Sequence, residues 1–381
     1  MLARRTGYFI ESVIRDMTRL SLKHNAINLA QGFPDFPAPL PLKRAAASAI
    51  MEDYNQYSIT WGAKDLRDEI SRKAREYNHI EADPENEITL TCGSTEAMMA
   101  SMLALINEGD EVVIFEPFYE NYGPDAAVSG AVPRFVPLDE DNGIDEDALA
   151  SAFNSKTRVL ILNTPNNPCG KVFTKGELKM IADLCVDNDV IAVTDEIYEY
   201  ILYDGKKHVS IGSLDDMKDR TITISGFSKT YSVTGWRIGY ALAEKELTSA
   251  IRKVHDFLTV GAPAPLQHAC VTALRFPDSY YKELAGMYDG KRKLLYNALV
   301  KAGFKCKMPE GAYYILADIP EGIGMDDMAF ARYMVSEVGV AAVPGSSFYK
   351  SEKGKHKLRF TFSKKDETLQ EAARRLERLN I

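Results

Sequence analysis

The run VIAVT at residues 190–194 leads without a break into Asp195-Glu196-Ile197-Tyr198. Successive side chains on a strand point to opposite faces, and here both faces are apolar. A strand of this kind has to be covered on both sides, as in a mostly parallel sheet between helices. The run VLIL at 159–162 has the same character. Working outward, apolar runs recur at 88–92, 111–115, 132–136, 158–163, 220–225 and 238–243, with helical periodicity between most of them, as at 96–107 and 175–188. This alternation predicts an α/β architecture with a seven-stranded, mostly parallel sheet and helices on both faces. The texture changes near residue 245. Helical stretches at 246–256 and 279–302, isolated strands at 312–318 and 357–362, and a last helix from Asp366 predict a smaller α+β domain.

The chain has 381 residues, enough for about two domains. It carries 46 Lys and Arg against 54 Asp and Glu, a net charge of −8, which argues against a nucleic-acid partner. No run of about 18 apolar residues is present, so a membrane span is not expected. Arg4 and Arg5 are not followed by a continuous apolar run, so a secretory signal is not expected either. The 5 cysteines are odd in number and form no CxxC pair. That pattern predicts reduced thiols in a cytoplasmic protein, with no metal site. His268 and Cys270 lie two apart, too little for a ligand set.

In open α/β sheets ligands sit at the carboxyl ends of the strands, so the chemistry is sought there. Neither GxxxxGK[ST] nor a GxGxxG after the first strand occurs. The run 88–92 ends in Gly93-Ser94-Thr95, with a helix expected from Glu96. Free N–H groups at a helix start bind anions, and an ordinary N-cap accounts for the same residues. Asp195 at the mouth of a buried strand is costly unless it meets a cation, with Tyr198 three residues on; a capping Asp beside a packing Tyr is the plainer reading. SGFSKTYSVTGWRIGY, 225–240, offers Lys229 as a nucleophile or base, or as a solvated loop lysine. Arg237 and the Ser/Thr-rich loop suit a phosphate. NTPNNPCGKVF, 163–173, is a stiff loop fixing Asn167, or simply a turn. Tyr119 in EPFYENYGP could stack on a planar ligand or fill the core. Arg359 in KLRFTFS could grip a carboxylate or form a surface salt bridge. Taken together these features describe one ligand: planar, phosphorylated, with a carbonyl for a lysine and a basic nitrogen for an acid. Pyridoxal 5′-phosphate has those properties.

The segments INLAQGFPDFPAP, NQYSITWGAKDLR, TCGSTEAM, EPFYENYGP, NTPNNPCGKVF, TDEIYEYILYDG, SGFSKTYSVTGWRIGY, PEGAYYILADI and LRFTFSKK span residues 27–365 in order. This pattern resembles the class I/II aminotransferases, fold type I pyridoxal-phosphate enzymes. QGFPDF and IRKVHDFLT place it nearest the kynurenine, glutamine and methionine aminotransferase branch. The resemblance implies a large cofactor-binding domain over 46–275 and a small domain built from 1–45 with 276–381. It implies that Lys229 links covalently to the cofactor and then moves protons. Asp195 would pair with the pyridine nitrogen, Tyr198 and Asn167 would bond the phenolic oxygen, and Tyr119 would stack on the ring. Ser94, Thr95 and Arg237 would bind the phosphate, with Tyr57 reaching it from a neighbouring subunit, which implies a homodimer. Arg359 would clamp the substrate α-carboxylate, helped by Asn167 and the Gly32 backbone. The pattern departs at Gly226, where many relatives have a phosphate-binding serine; Ser225 and Ser228 flank the position. No matching residue is seen for a substrate side-chain carboxylate.

The expected activity is transamination from a neutral or aromatic L-amino acid to a 2-oxo acid by a ping-pong mechanism. A carbon–sulfur β-lyase of the same fold would use nearly the same residues and would release pyruvate without an added oxo acid. A cofactor-sensing DNA-binding regulator would need a domain ahead of the INLAQGFPDF segment, which begins at Ile27.

Overall fold

The computed structural model describes residues 3–379. Seven strands form the large sheet: β1 (Ile88–Thr91), β2 (Glu111–Glu116), β3 (Val132–Pro137), β4 (Thr157–Asn163), β5 (Ile191–Asp195), β6 (Thr221–Gly226) and β7 (Gly239–Leu242). Their order is β1-β7-β6-β5-β4-β2-β3, with β7 antiparallel to both neighbours and the other pairs parallel. Each apolar run of the sequence lies on a strand whose ends differ by one residue at most. The period of two is visible in the packing. Val112, Ile114, Val159, Ile161 and Val193 face one layer with Ala97 and Met98 of α1 (Ser94–Leu105). Val113, Leu160, Leu162 and Ala192 face the other, against Leu178 and Ile181 of the helix Lys175–Asp187. The strand β3 carries Pro133 and Pro137 and stands at the sheet edge, where a missing N–H costs least.

One element starts earlier than the sequence pattern suggests. The helix expected from Glu96 begins at Ser94, with Gly93 as its N-cap at φ 81°. Glu96 reaches back to accept the Cys92 N–H and holds Nδ1 of His255 at 2.6 Å, so it seals the first turn from inside.

The C-terminal region builds a four-stranded antiparallel sheet: Val343–Pro344, β9 (Lys357–Thr361), β8 (Tyr314–Asp318) and Lys305–Cys306, in that order. The pair Ile27–Asn28 runs parallel to Val340–Ala341. Met17, Leu29 and Ala30 share a core with Leu295, Phe330 and Phe360. Leu42 and Ala46 of the helix Leu40–Met51 instead pack with Ala269 and Cys270 of Ala264–Leu274. The two regions meet at the carboxyl edge of the large sheet, where Phe118 donates its N–H to the Phe348 carbonyl and Ala312 to that of Ile201. Among the described residues no helix is long and apolar enough to cross a membrane.

Leu162 is fully buried in the sheet interior, so Leu162→Ala leaves a cavity that rigid neighbours cannot fill. A loss of about 2–5 kcal/mol is expected in denaturant unfolding, with Tm lowered by several degrees.

Candidate active site

Parallel strands end in one line, and that line carries the site. Asn163, last residue of β4, lies opposite Asp195, last residue of β5. The Asn163 amide donates to the Asp195 carbonyl at 2.9 Å, and its Oδ1 accepts the Asn167 N–H at 2.7 Å. The loop that follows β4 is thereby pinned to the neighbouring strand. A cavity of about 470 Å³ opens above this edge, lined by Gly32, Ser94, Thr95, Tyr119, Asn167, Asp195, Tyr198, Lys229, Arg237 and Arg359. Every residue to which the resemblance gives a role in the site is therefore at one place, except Tyr57, which is 87% exposed and lies away from the cavity.

The charges in the cavity are poorly paired. Arg359 is fully buried, which rules out the surface salt bridge that its alternating strand also allowed. Its guanidinium donates to Asn167 Oδ1 at 2.9 Å and to the Ala30 carbonyl at 2.6 Å, and lies over the rings of Tyr314 and Phe348. Its Nε has no partner among the described residues. Lys229 donates to the Gly32 carbonyl at 3.1 Å and lies near the rings of Tyr198 and Tyr313. Burial, with the cations Arg237 and Arg359 nearby, brings its amine down to about 8. Asp195 is pushed up to about 6 by burial, against the Tyr122 hydroxyl that donates to its Oδ2 at 2.9 Å. Tyr198 is buried, its hydroxyl 3.0 Å from that of Tyr314.

The end of the cavity at the start of α1 is built from backbone. A Cβ on Gly239 would stand 2.5 Å from the Ser94 nitrogen, and one on Gly93 would strike the Arg237 guanidinium at 2.2 Å. Only glycine lets β7 and Arg237 approach the start of α1 so closely. The hydroxyls beside Gly226 divide clearly. Ser225 Oγ donates to Glu199 Oε1 at 2.6 Å, inside a buried network in which Lys73 also meets Glu199 and Asn78. Ser228 lines the cavity. A side chain at Gly226 itself would meet Gly239 Cα at 2.9 Å.

These observations test the fit of the cofactor that the sequence suggests. A buried guanidinium without a carboxylate, a lysine with a lowered pKa, a desolvated aspartate and a helix start backed by arginine match its carboxylated partner, carbonyl, ring nitrogen and phosphate respectively. Sequence reasoning missed Tyr122, Asn163 and Tyr314. Tyr122 stands three residues after Tyr119 in EPFYENYGP, at the same strand end, and that nearness was the available signal.

The profile of "Aminotransferase class I and II" matches residues 24–376. The chain belongs to this family. It is similar to the kynurenine–oxoglutarate transaminase of Dictyostelium discoideum, 35% identical over 97% of this chain and 94% of that protein. It is also similar to the methionine aminotransferase of Escherichia coli K12, 35% identical over 97% of this chain and 96% of that one. The solved N-succinyldiaminopimelate aminotransferase of Mycobacterium tuberculosis superposes with a TM-score of 0.95 at 38% identity, covering 100% of both chains. The family fixes the reaction class and the cofactor: this aminotransferase works with pyridoxal 5′-phosphate.

The low pKa of Lys229 has a direct check in this aminotransferase freed of cofactor. Reductive ¹³C-methylation followed by NMR should find two lysines titrating near 8, Lys229 and the buried Lys364, with the Lys229 signal identified by its loss in Lys229→Ala. Because the Asp195 charge raises the Lys229 value, Asp195→Asn should lower it further. A Lys229 that titrates in the ordinary lysine range would contradict the geometry.

Proposed function

We propose that this aminotransferase moves the amino group of a neutral or aromatic L-amino acid to a 2-oxo acid by a ping-pong mechanism, as a cytoplasmic homodimer. The observation that carries the substrate reading is Arg359: a buried, preoriented guanidinium facing the lysine and lacking any carboxylate partner among the described residues. A planar fork of this kind binds an α-carboxylate by two parallel hydrogen bonds. Ile14, Phe33, Tyr119 and Tyr314 contribute apolar and aromatic wall, which favours an uncharged donor side chain. The large domain over 46–275 and the small one over 1–45 with 276–381 are supported by the separate sheets, though the helix Leu40–Met51 straddles residue 45. The exposure of Tyr57 suits a residue that completes a partner's site.

Asp195 would hold the ring nitrogen, Tyr198 and Asn167 the phenolic oxygen, Tyr119 the ring face, and Ser94, Thr95, Ser228 and Arg237 the phosphate. Bound there, the cofactor supplies an electrophilic carbonyl and an electron sink. The chain does the rest. Arg359 and Asn167 anchor the α-carboxylate, so the Cα–H bond is presented to the lysine. Lys229 Nζ, neutral in part near pH 7 because of its burial, takes the Cα proton and returns it as acid. Asp195, buried and held by Tyr122, keeps a negative charge facing the ring nitrogen.

A panel of amino acids against 2-oxoglutarate and pyruvate tests the donor class directly; a strong preference for aspartate would overturn it. Arg359→Lys should cut kcat/KM by roughly 2–4 kcal/mol for every donor alike, with cofactor affinity kept, since lysine cannot copy the fork. Loss on one donor only would make Arg359 a side-chain selector. For the subunit reading, light scattering should give twice the chain mass, and Tyr57→Phe should weaken cofactor binding.

A further inference from the structure

One buried carboxyl in the cavity wall has no role in the account above. Asp125 lies in the first turns of α2 (Tyr122–Ser129), three residues after Tyr122, whose hydroxyl bonds Asp195. It is 4% exposed, lines the cavity, and its Oδ2 has no hydrogen-bond partner among the described residues. An unsatisfied buried carboxyl costs stability unless something offsets it.

The surrounding charges narrow what that could be. From α1, Glu96 is tied to His255; from β3, Arg134 is tied to Glu111. Arg5 donates to the Val128 carbonyl, at the far end of α2. Arg15, Glu120 and Lys229 line the same cavity, and Tyr119 and Tyr122 stand beside it as neutral phenols. The charge that bears on Asp125 is that of Asp195. Burial and that like charge push Asp125 up to about 8, so the empty protein holds a proton there at neutral pH.

We propose that Asp125 is a positioning residue that sets, by gaining or losing one proton, how negative the cavity wall behind Asp195 is, and so how tightly the site holds a cationic heteroaromatic ring. This rests on the reading of Asp195 as the partner of the ring nitrogen. A cation arriving beside Asp195 favours the ionised form of Asp125, so binding expels its proton. By linkage, binding that expels a proton tightens as pH rises through the pKa of the empty protein, and stops tightening above it. The start of α2 also favours the anion once formed, through its helix dipole.

The probe is pyridoxamine 5′-phosphate, which binds without a covalent bond. Its Kd is measured by calorimetry on the full-length protein stripped of cofactor, between pH 6.5 and 9.5, for wild type and Asp125→Asn. The titrations of Lys229 and of the ligand phosphate are common to both proteins and cancel in the ratio. The ratio of variant to wild-type Kd should climb at least about threefold across pH 8, with wild type releasing more protons on binding in buffers of different ionisation enthalpy. A ratio that is flat or falls with pH overturns the proposal and leaves Asp125 a structural residue. Asp125→Ser repeats the measurement should the amide disturb folding. Asp195→Asn separates the two readings: weaker binding there with a flat Asp125 ratio refutes this proposal alone, and unchanged binding there refutes the Asp195 reading on which it rests.

Discussion

Charge that the protein does not neutralise by itself is the constraint around which this molecule is arranged. The chain pairs buried charges elsewhere: Lys73 meets Glu199, with Asn78 Oδ1 and the Tyr240 hydroxyl oxygen accepting its other hydrogens. At the carboxyl edge of the sheet it does not. Arg359 has carbonyl and amide partners only, Lys229 a single carbonyl, and Asp195 a single phenol among side chains. Desolvated groups left this way cost stability, and that cost is recovered only when a ligand supplies the opposite charges. The shifted values of Lys229 and Asp195 are the same fact in another form. Each group is held nearer neutrality than it would be in water, and a lysine poised near 8 is useful as a base for that reason.

Holding unpaired charges in place demands a stiff frame. The large sheet provides it by burying both faces of its inner strands, so that the ends of β4, β5 and β6 cannot move independently. Hydrogen bonds from Asn163 carry that rigidity into the loop bearing Asn167. Glycines do the complementary work of close approach. Gly32 is confined by the Tyr314 hydroxyl, which would stand 1.9 Å from any Cβ there, and Gly239 by the start of α1. These are positions where backbone itself is the functional group.

The sheet and its strand ends were legible in the sequence because burial on both faces leaves no polar alternation, as in VIAVT, and because chemistry follows the ends of such runs. Lys229 and Asp195 could be placed for the same reason. What was not legible has physical causes. The start of α1 reads two residues late because Ser94 and Thr95 look like capping residues, whereas Gly93 is the N-cap and both are already helical. Asn163 reads as the last residue of a strand, and only the register with Asp195 gives its amide a task. Asp125 looks like any acid in a first helical turn, since its neighbours Ala126 and Ala127 say nothing of the cavity on its other side. Whether Arg359 faced solvent or core could not be decided from a strand that alternates, because the covering layer comes from residues 30 and 348, far away in sequence.

The segment QGF, 31–33, shows how the two regions of the chain depend on each other. Four successive carbonyls are spoken for by cations: Ala30 by Arg359, Gln31 by Lys364, Gly32 by Lys229 and Phe33 again by Lys364. Lys364 is buried without a carboxylate in contact among the described residues and is brought down to about 8 by that burial. Carbonyl dipoles stabilise a cation without cancelling its charge, so Arg359 and Lys229 stay attractive to an incoming anion or carbonyl group while remaining tolerable in the folded protein. A carboxylate in this segment would hold the cations more firmly and would also remove them from use. The backbone of residues 30–33 therefore serves as a weak counterion, and the same weakness leaves room for a substrate to bind more strongly than the protein binds itself.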